Sequence, residues 1–191
     1  MDYPFIAEKN FDKEDYSLKK LQRGDYEACM FTNCNFSNSD LSKIQFIECE
    51  FYDCNLSTAN IHQTGFQNVL FKDCKLLGLQ FSKCSDFGFA LTFDNCQLNH
   101  ASFYQKNLSN TTFTASKIQE VDFSQCDLNA ALFNDCDLLH AVFDQTNLRT
   151  ADFRTSHNFT IDPESNQLKG AKFSLASIEG LLTKYGVIIE S

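Results

Sequence analysis

Leu91 to Thr155, written in fives, reads LTFDN CQLNH ASFYQ KNLSN TTFTA SKIQE VDFSQ CDLNA ALFND CDLLH AVFDQ TNLRT ADFRT. The third letter of each group is large and apolar, alternating Phe with Leu or Ile without exception from Phe93 to Phe153. The first letter is Cys, Ala, Ser, Thr, Val or Leu, with Lys106 the one charged member. A spacing of five suits neither a helix of period 3.6 nor a strand of period 2. It suits a chain that turns a corner once per repeat, sending one large and one small residue into a narrow tube and three polar residues outward.

The same spacing runs through the preceding residues, offset by two. Ile6, Phe11, Tyr16, Leu21, Tyr26, Phe31, Phe36, Leu41, Phe46, Phe51, Leu56, Ile61, Phe66, Phe71, Leu76 and Phe81 occupy the large position. Together the two runs give 29 hits in a chain that is 43% hydrophobic. Chance would produce that with a probability on the order of 10⁻¹¹. All nine cysteines (Cys29, Cys34, Cys49, Cys54, Cys74, Cys84, Cys96, Cys126 and Cys136) fall on the small inward column, which also takes Ile44, Leu79 and Leu91.

The Phe-to-Leu alternation has a period of ten, so like stacks on like only if each coil holds an even number of repeats. Cys34, Cys54 and Cys74 recur at twenty, as do Gln105, Gln125 and Gln145 outside. Four sides of five residues are favoured over three, with coils about 4.8 Å apart joined by parallel backbone hydrogen bonds. The expected fold is all-β: a right-handed quadrilateral parallel β-helix, with a short C-terminal α-helix. Segments such as Cys34-Asn35-Phe36-Ser37-Asn38, Cys126-Asp127-Leu128-Asn129-Ala130 and Ala151-Asp152-Phe153-Arg154-Thr155 resemble the pentapeptide-repeat family and its A(D/N)Lxx consensus. The resemblance covers roughly Asp25 to Ser156, and the handedness of the coil is what it implies.

Three segments are expected. Residues 1–23 keep the large column but place Lys9, Glu14 and Lys19 on the small one, as in a cap or loose first turn, because a charge is costly to bury. Residues 24–156 form the β-helix, with a register break about 84–92 where Asp86-Phe87-Gly88-Phe89-Ala90 adds two residues and puts Asp86 at a core position. Residues 157–191 change character. Ser174 can cap a helix whose apolar stripe is Leu175, Ile178, Leu181, Leu182 and Tyr185, closed by Gly186 and followed by the β-prone Val187, Ile188 and Ile189. An open solenoid end must be covered. These eight apolar residues either cap it within the chain or pair two chains as a homodimer.

The tail, from Ile161-Asp162-Pro163 through Phe173 and ending Leu181-Leu182-Thr183-Lys184-Tyr185-Gly186-Val187-Ile188-Ile189, resembles a subgroup of the family: the plasmid quinolone-resistance (Qnr), microcin B immunity and albicidin-resistance proteins. The stretch Phe71-Lys72-Asp73-Cys74-Lys75-Leu76-Leu77-Gly78 resembles the latter two. That resemblance implies a dimer that binds bacterial DNA gyrase or topoisomerase IV and relieves inhibition by a toxin or drug; a cytoplasmic location is expected because Met1 to Lys9 show no basic region followed by an apolar stretch. The long loops of some Qnr proteins have no counterpart here.

Composition bears on the partner. A net charge of −9 and a pI near 4.8 argue against binding DNA, RNA or an anionic membrane directly, and point to a basic partner or a groove that holds something acidic. Nearly all the excess sits on the rod, where residues 25–156 hold 16 Asp plus Glu against 8 Lys plus Arg. Folded at twenty residues per coil, Asp25, Glu27, Glu48, Glu50, Asp53 and Asp73 lie on two adjacent sides of the first half and are the candidate contacts. One net charge per ~4 Å of rod is sparser than one per ~1.7 Å of duplex DNA, so mimicry requires concentration on the faces presented. The competing readings are that the acids keep the rod soluble, or that the rod is a scaffold or adaptor with no topoisomerase target. No nucleophile–base–orienter set, phosphate loop or paired-carboxylate motif stands out. The cysteines read as small core residues rather than metal ligands, and His100 and His140, two coils apart, are too distant to share zinc. An enzyme, a metal and a cofactor are therefore not expected, nor is any apolar run long enough to span a membrane.

Overall fold

The computed structural model describes residues 4–188. Ile189, expected in the apolar tail, lies outside the described residues. The chain winds into a parallel β-solenoid in which each side of the coil is one five-residue repeat. On the first side, β1 (Phe5–Ala7), β3 (Asp25–Glu27), β5 (Gln45–Ile47) and β7 (Gly65–Gln67) form a four-stranded ladder. On the second, β2 (Asn10–Asp12), β4 (Met30–Thr32), β6 (Glu50–Tyr52), β8 (Val69–Lys72), β9 (Leu91–Asp94), β10 (Thr112–Thr114) and β11 (Leu132–Asn134) form a seven-stranded one. Every pair is parallel, with partners twenty residues apart before the break, as Phe31↔Phe51, and twenty-two across it, as Phe71↔Phe93. The third and fourth sides are held by single parallel bridges at the residue before each large one, such as Asn35↔Asn55 and Ser102↔Asp122.

Inside, the second side stacks nine phenylalanines: Phe11, Phe31, Phe51, Phe71, Phe93, Phe113, Phe133, Phe153 and Phe173. Their ring centroids are 4.7–5.8 Å apart with interplanar angles of 3–24°. A second stack, Phe81, Phe103, Phe123 and Phe143, meets the first edge-on. Offset-parallel contact within a column and edge-to-face contact between columns are the arrangements that the ring quadrupole favours.

The small column is selected for more than size. On the second side, six Phe carbonyls accept a hydrogen bond from the small residue that opens the third side one coil on; at Phe93 that residue, Ser116, donates to Thr114 O instead and accepts from Cys96 N. Cys34 donates its S–H to Phe11 O, Cys54 to Phe31 O, Cys74 to Phe51 O, Cys96 to Phe71 O and Cys136 to Phe113 O, while Ser156 Oγ does the same for Phe133 O at 2.8 Å. Thiol and hydroxyl interchange because both donate. No buried side-chain nitrogen or oxygen of the described residues lacks a partner. The described cysteines are free and buried.

Corners are made by the residue two past the large one, which takes a left-handed φ at nearly every side, for example Asn33 (55°), Asp53 (52°), Ala115 (48°) and Thr150 (55°). The residue before the large one has its own task on the turn-like sides. Its carboxylate or amide oxygen accepts the N–H two residues on, as in Ser37 N to Asn35 Oδ1, Ser124 N to Asp122 Oδ1 and Asn129 N to Asp127 Oδ1. This Asx turn is why Asp and Asn recur at that position.

The stack runs past both expected ends. β1 and β2 carry it back to residue 5, and Lys9 and Lys19 remain exposed there. It continues beyond residue 156 through Asn147↔Gln167, Asp152↔Lys172 and Phe173, with one irregular side at Asn158 and Pro163. The short C-terminal helix is present, wound as 3-10 turns over Leu175–Leu181 and Thr183–Tyr185. It docks on the last coil through Gly180, whose Cα is so close to Phe159 that a Cβ would lie 2.3 Å from Phe159 O.

Candidate partner-binding surface

The six acidic candidates occupy one continuous stretch of surface. Asp25 and Glu27 flank Tyr26 on β3, Glu48 turns the corner to the second side, Glu50 begins β6, and Asp53 and Asp73 stack on the next corner. Ion pairing separates them from most other acids. Among the described residues, Asp40 pairs with Arg23, Asp94 with Lys72, Asp152 with Arg154 and Asp162 with Lys184. None of the six has a cation within 4 Å among the described residues. Glu50 accepts only the Tyr52 hydroxyl (2.8 Å) and Asp73 only the Asn95 amide (2.6 Å), so their charge is left standing.

The second half of the rod holds more acid in total. Residues 25–85 contain seven acidic and four basic residues, whereas residues 86–156 contain nine and four. Yet most of the second group is spent on structure: Asp122, Asp127, Asp137 and Asp152 close Asx turns, and Asp86 and Asp94 are paired with Lys106 and Lys72. Among these nine, Asp135 and Asp144 have neither that task nor a cation within 4 Å, and Glu120 faces only the His100 imidazole (3.2 Å). The column count in the sequence could not make this distinction, because the Asx role depends on which sides are turn-like. Asp53 and Asp73 retain a structural use, since Asp tolerates the left-handed corner they occupy.

The break brings together the two residues that violate the inward columns. Lys106, on the small column, is buried to 4% exposure, and its ammonium donates to Cys84 O (2.7 Å) and to Asp86 Oδ1 while lying over the Phe89 ring. The inserted residues loop outward, leaving Phe87 77% exposed, and Phe89 turns in to fill the large position. Each exception is legible in the sequence; that they answer one another is not, because they are twenty residues apart across an irregular side.

At the C-terminal end the expected stripe divides. Ile178, Leu181 and Leu182 are half-buried against the last coil, while Leu175 (92% exposed), Val187 and Ile188 (89%) face outward. Tyr185 is tied to its own chain by a 3.0 Å hydrogen bond to Glu164. His100 and His140 lie on one corner with Glu120 between them, and among the described residues no group of three His, Cys, Asp or Glu side chains could hold a metal. No described helix is long and apolar enough to cross a membrane.

The family described as "pentapeptide repeat region" matches residues 25–86 and 89–157, interrupted only at the bulge, and the chain belongs to that family. No curated protein sequence matches it. Among solved structures, it is similar to trypsin-treated QnrB1, a plasmid-mediated fluoroquinolone resistance protein, at 20% identity and a TM-score of 0.50, over 98% of this chain and 100% of that one. It is also similar to HetL, a pentapeptide repeat protein involved in heterocyst differentiation regulation from the cyanobacterium Nostoc sp. strain PCC 7120. There the identity is 14% and the TM-score 0.46, over 92% of this chain and 88% of that one.

Proposed function

We propose that this chain is a non-enzymatic DNA mimic that binds DNA gyrase or topoisomerase IV and protects it from an antibiotic or toxin. The observation that carries this reading is the run of six acidic side chains on adjoining sides, none ion-paired and none closing an Asx turn, on a rigid rod whose partner must be basic. The tail's resemblance to the quinolone-resistance, microcin-immunity and albicidin-resistance proteins supports the choice of partner. Dimerisation through Leu175, Val187 and Ile188 would double the length of acidic rod presented and cover the exposed apolar end. The cytoplasm is where such a partner resides.

The experiment is a supercoiling assay with purified gyrase and a decatenation assay with topoisomerase IV, each with and without a fluoroquinolone. Added protein restores or inhibits the activity of at least one enzyme if the reading holds. No effect on either enzyme overturns it and leaves the scaffold or adaptor reading.

A further inference from the structure

The bulge leaves a gap in an otherwise closed ladder. One coil further on, the first side shows what a complete connection requires: Asp127 N donates to Lys106 O (3.0 Å), Asp127 O accepts from Leu108 N (2.7 Å), and Asn129 O accepts from Asn110 N (2.9 Å). The equivalent groups at the bulge are Asn107 N, Asn107 O and Ser109 O. None of the three has a backbone hydrogen bond among the described residues. Two substitutions account for this. Cys84 O, which by register should receive Asn107 N, is taken by the Lys106 ammonium. Ala90 N, due at Ser109 O, turns back to Phe66 O (3.0 Å), where the returning chain bridges Gln67 in antiparallel sense.

The ladder of the first side therefore ends at β7, while that of the second side passes the same level unbroken through β8 and β9. Between the bulge and the Asn107 coil lie two adjoining grooves of about 500 and 280 Å³, floored by Phe89 and Ala90. A donor, an acceptor and a second acceptor in this order along an edge are what an extended segment running parallel to it satisfies. Exposed edges of this kind are completed by peptide strands in β-augmentation.

We infer that the edge at Asn107–Ser109 is a docking site for an extended peptide from a partner protein, added as a strand in parallel sense. The floor and the charge define the peptide. Phe89 already fills the large inward position, so inward-facing residues of the guest must be small. Outward-facing residues meet Asp86, whose carboxylate holds Lys106 through one oxygen yet stands 86% exposed at the groove rim, so they must be basic. The site is independent of the six acidic side chains in the first half, and of whether topoisomerase is the partner.

The test uses the full chain and a capped Lys-Ala-Lys-Ala-Lys peptide, followed by amide hydrogen exchange and NMR shift mapping. Before peptide is added, Asn107 N–H exchanges on the order of a hundredfold faster than Asp127 N–H. Peptide slows Asn107 and shifts residues 105–111, whereas a Glu-Ala-Glu-Ala-Glu peptide does neither. A regularised variant closes the gap: removing Asp86 and Phe89 leaves Cys84-Ser85-Phe87-Gly88-Ala90, an ordinary five-residue side, with Lys106→Ala removing the cation that would lose its partner. It binds the basic peptide at least tenfold more weakly. Equal exchange of Asn107 and Asp127 in the free wild-type protein overturns the inference without recourse to any variant. So does failure of the basic peptide to bind, or equal binding to wild-type and regularised proteins, which signals general attraction to an acidic rod.

Discussion

At the residue scale, three positions show how a repeat tolerates chemistry that its consensus does not predict. Ala115 sits on a corner with φ 48°, where an L-residue is strained by about 1–2 kcal/mol and glycine is not. Ala115→Gly should therefore raise the unfolding midpoint, by up to about 1 kcal/mol, although the same change inside a helix costs about that much. Cys136 is the S–H donor to Phe113 O. Cys136→Ser keeps a donor and should cost little, whereas Cys136→Val strands a buried carbonyl and should cost about 1–3 kcal/mol by urea denaturation. Burial also raises the thiols of Cys49, Cys84, Cys126 and Cys136 from 9.0 to about 12. In the unfolded chain they ionise near 9 and in the folded one they do not, so stability is full below pH 9 and falls as pH rises toward 12. A pH series of denaturation midpoints should show that decline, and Cys136→Ser should flatten it. At Lys106, Asp86→Ala leaves a buried cation with one carbonyl partner. The expected loss is about 1–3 kcal/mol, below the usual range for buried pairs because Asp86 faces water, and Lys106→Met in the same chain should restore most of it.

At the element scale, the side of five residues is the unit, and its two columns hold different amounts of information. Phe113 makes stacked contacts above and below at 5.0 and 4.8 Å and edge contacts to Phe103 and Phe123. Phe113→Ala should cost about 3–5 kcal/mol, read from denaturant midpoints. The large column, the small column and the number of sides could all be read from sequence, since each depends only on spacing and size. The carbonyl that selects Cys or Ser for the small column could not, because it belongs to a residue twenty-three positions away. The same limit applied to the tail. An apolar stripe from Leu175 to Tyr185 is visible as a pattern, but its winding as 3-10 turns and its close approach to Phe159 at Gly180 are not. Gly180→Ala should detach the helix, since the contact it forces is with the Phe159 backbone rather than a side chain that can turn aside.

At the scale of the whole molecule, the rod fixes where charges stand relative to one another, and the sequence gives their number but not their employment. Net charge is larger in the second half, yet free carboxylates are concentrated in the first, because turn closure and ion pairing consume the rest. Asp25, Glu27, Glu48, Glu50, Asp53 and Asp73 were selectable from a twenty-residue fold of the sequence; the reason to prefer them over Asp122 or Asp127 required the hydrogen bonds. This distinction sets the final prediction. Charge reversal at Glu48 and Glu50 places two lysines within an unpaired acidic run and touches no Asx turn, so the fold should keep its denaturation midpoint to within about 0.5 kcal/mol. Asp122→Lys and Asp127→Lys change net charge by the same amount but remove the oxygens that close Asx turns, and should lower the midpoint. If a basic partner reads the first-half surface, only the Glu48→Lys, Glu50→Lys protein loses activity in the supercoiling assay while remaining fully folded. Equal loss in both pairs, after correction for the folded fraction, would mean that the partner responds to total charge and not to the surface of those six residues.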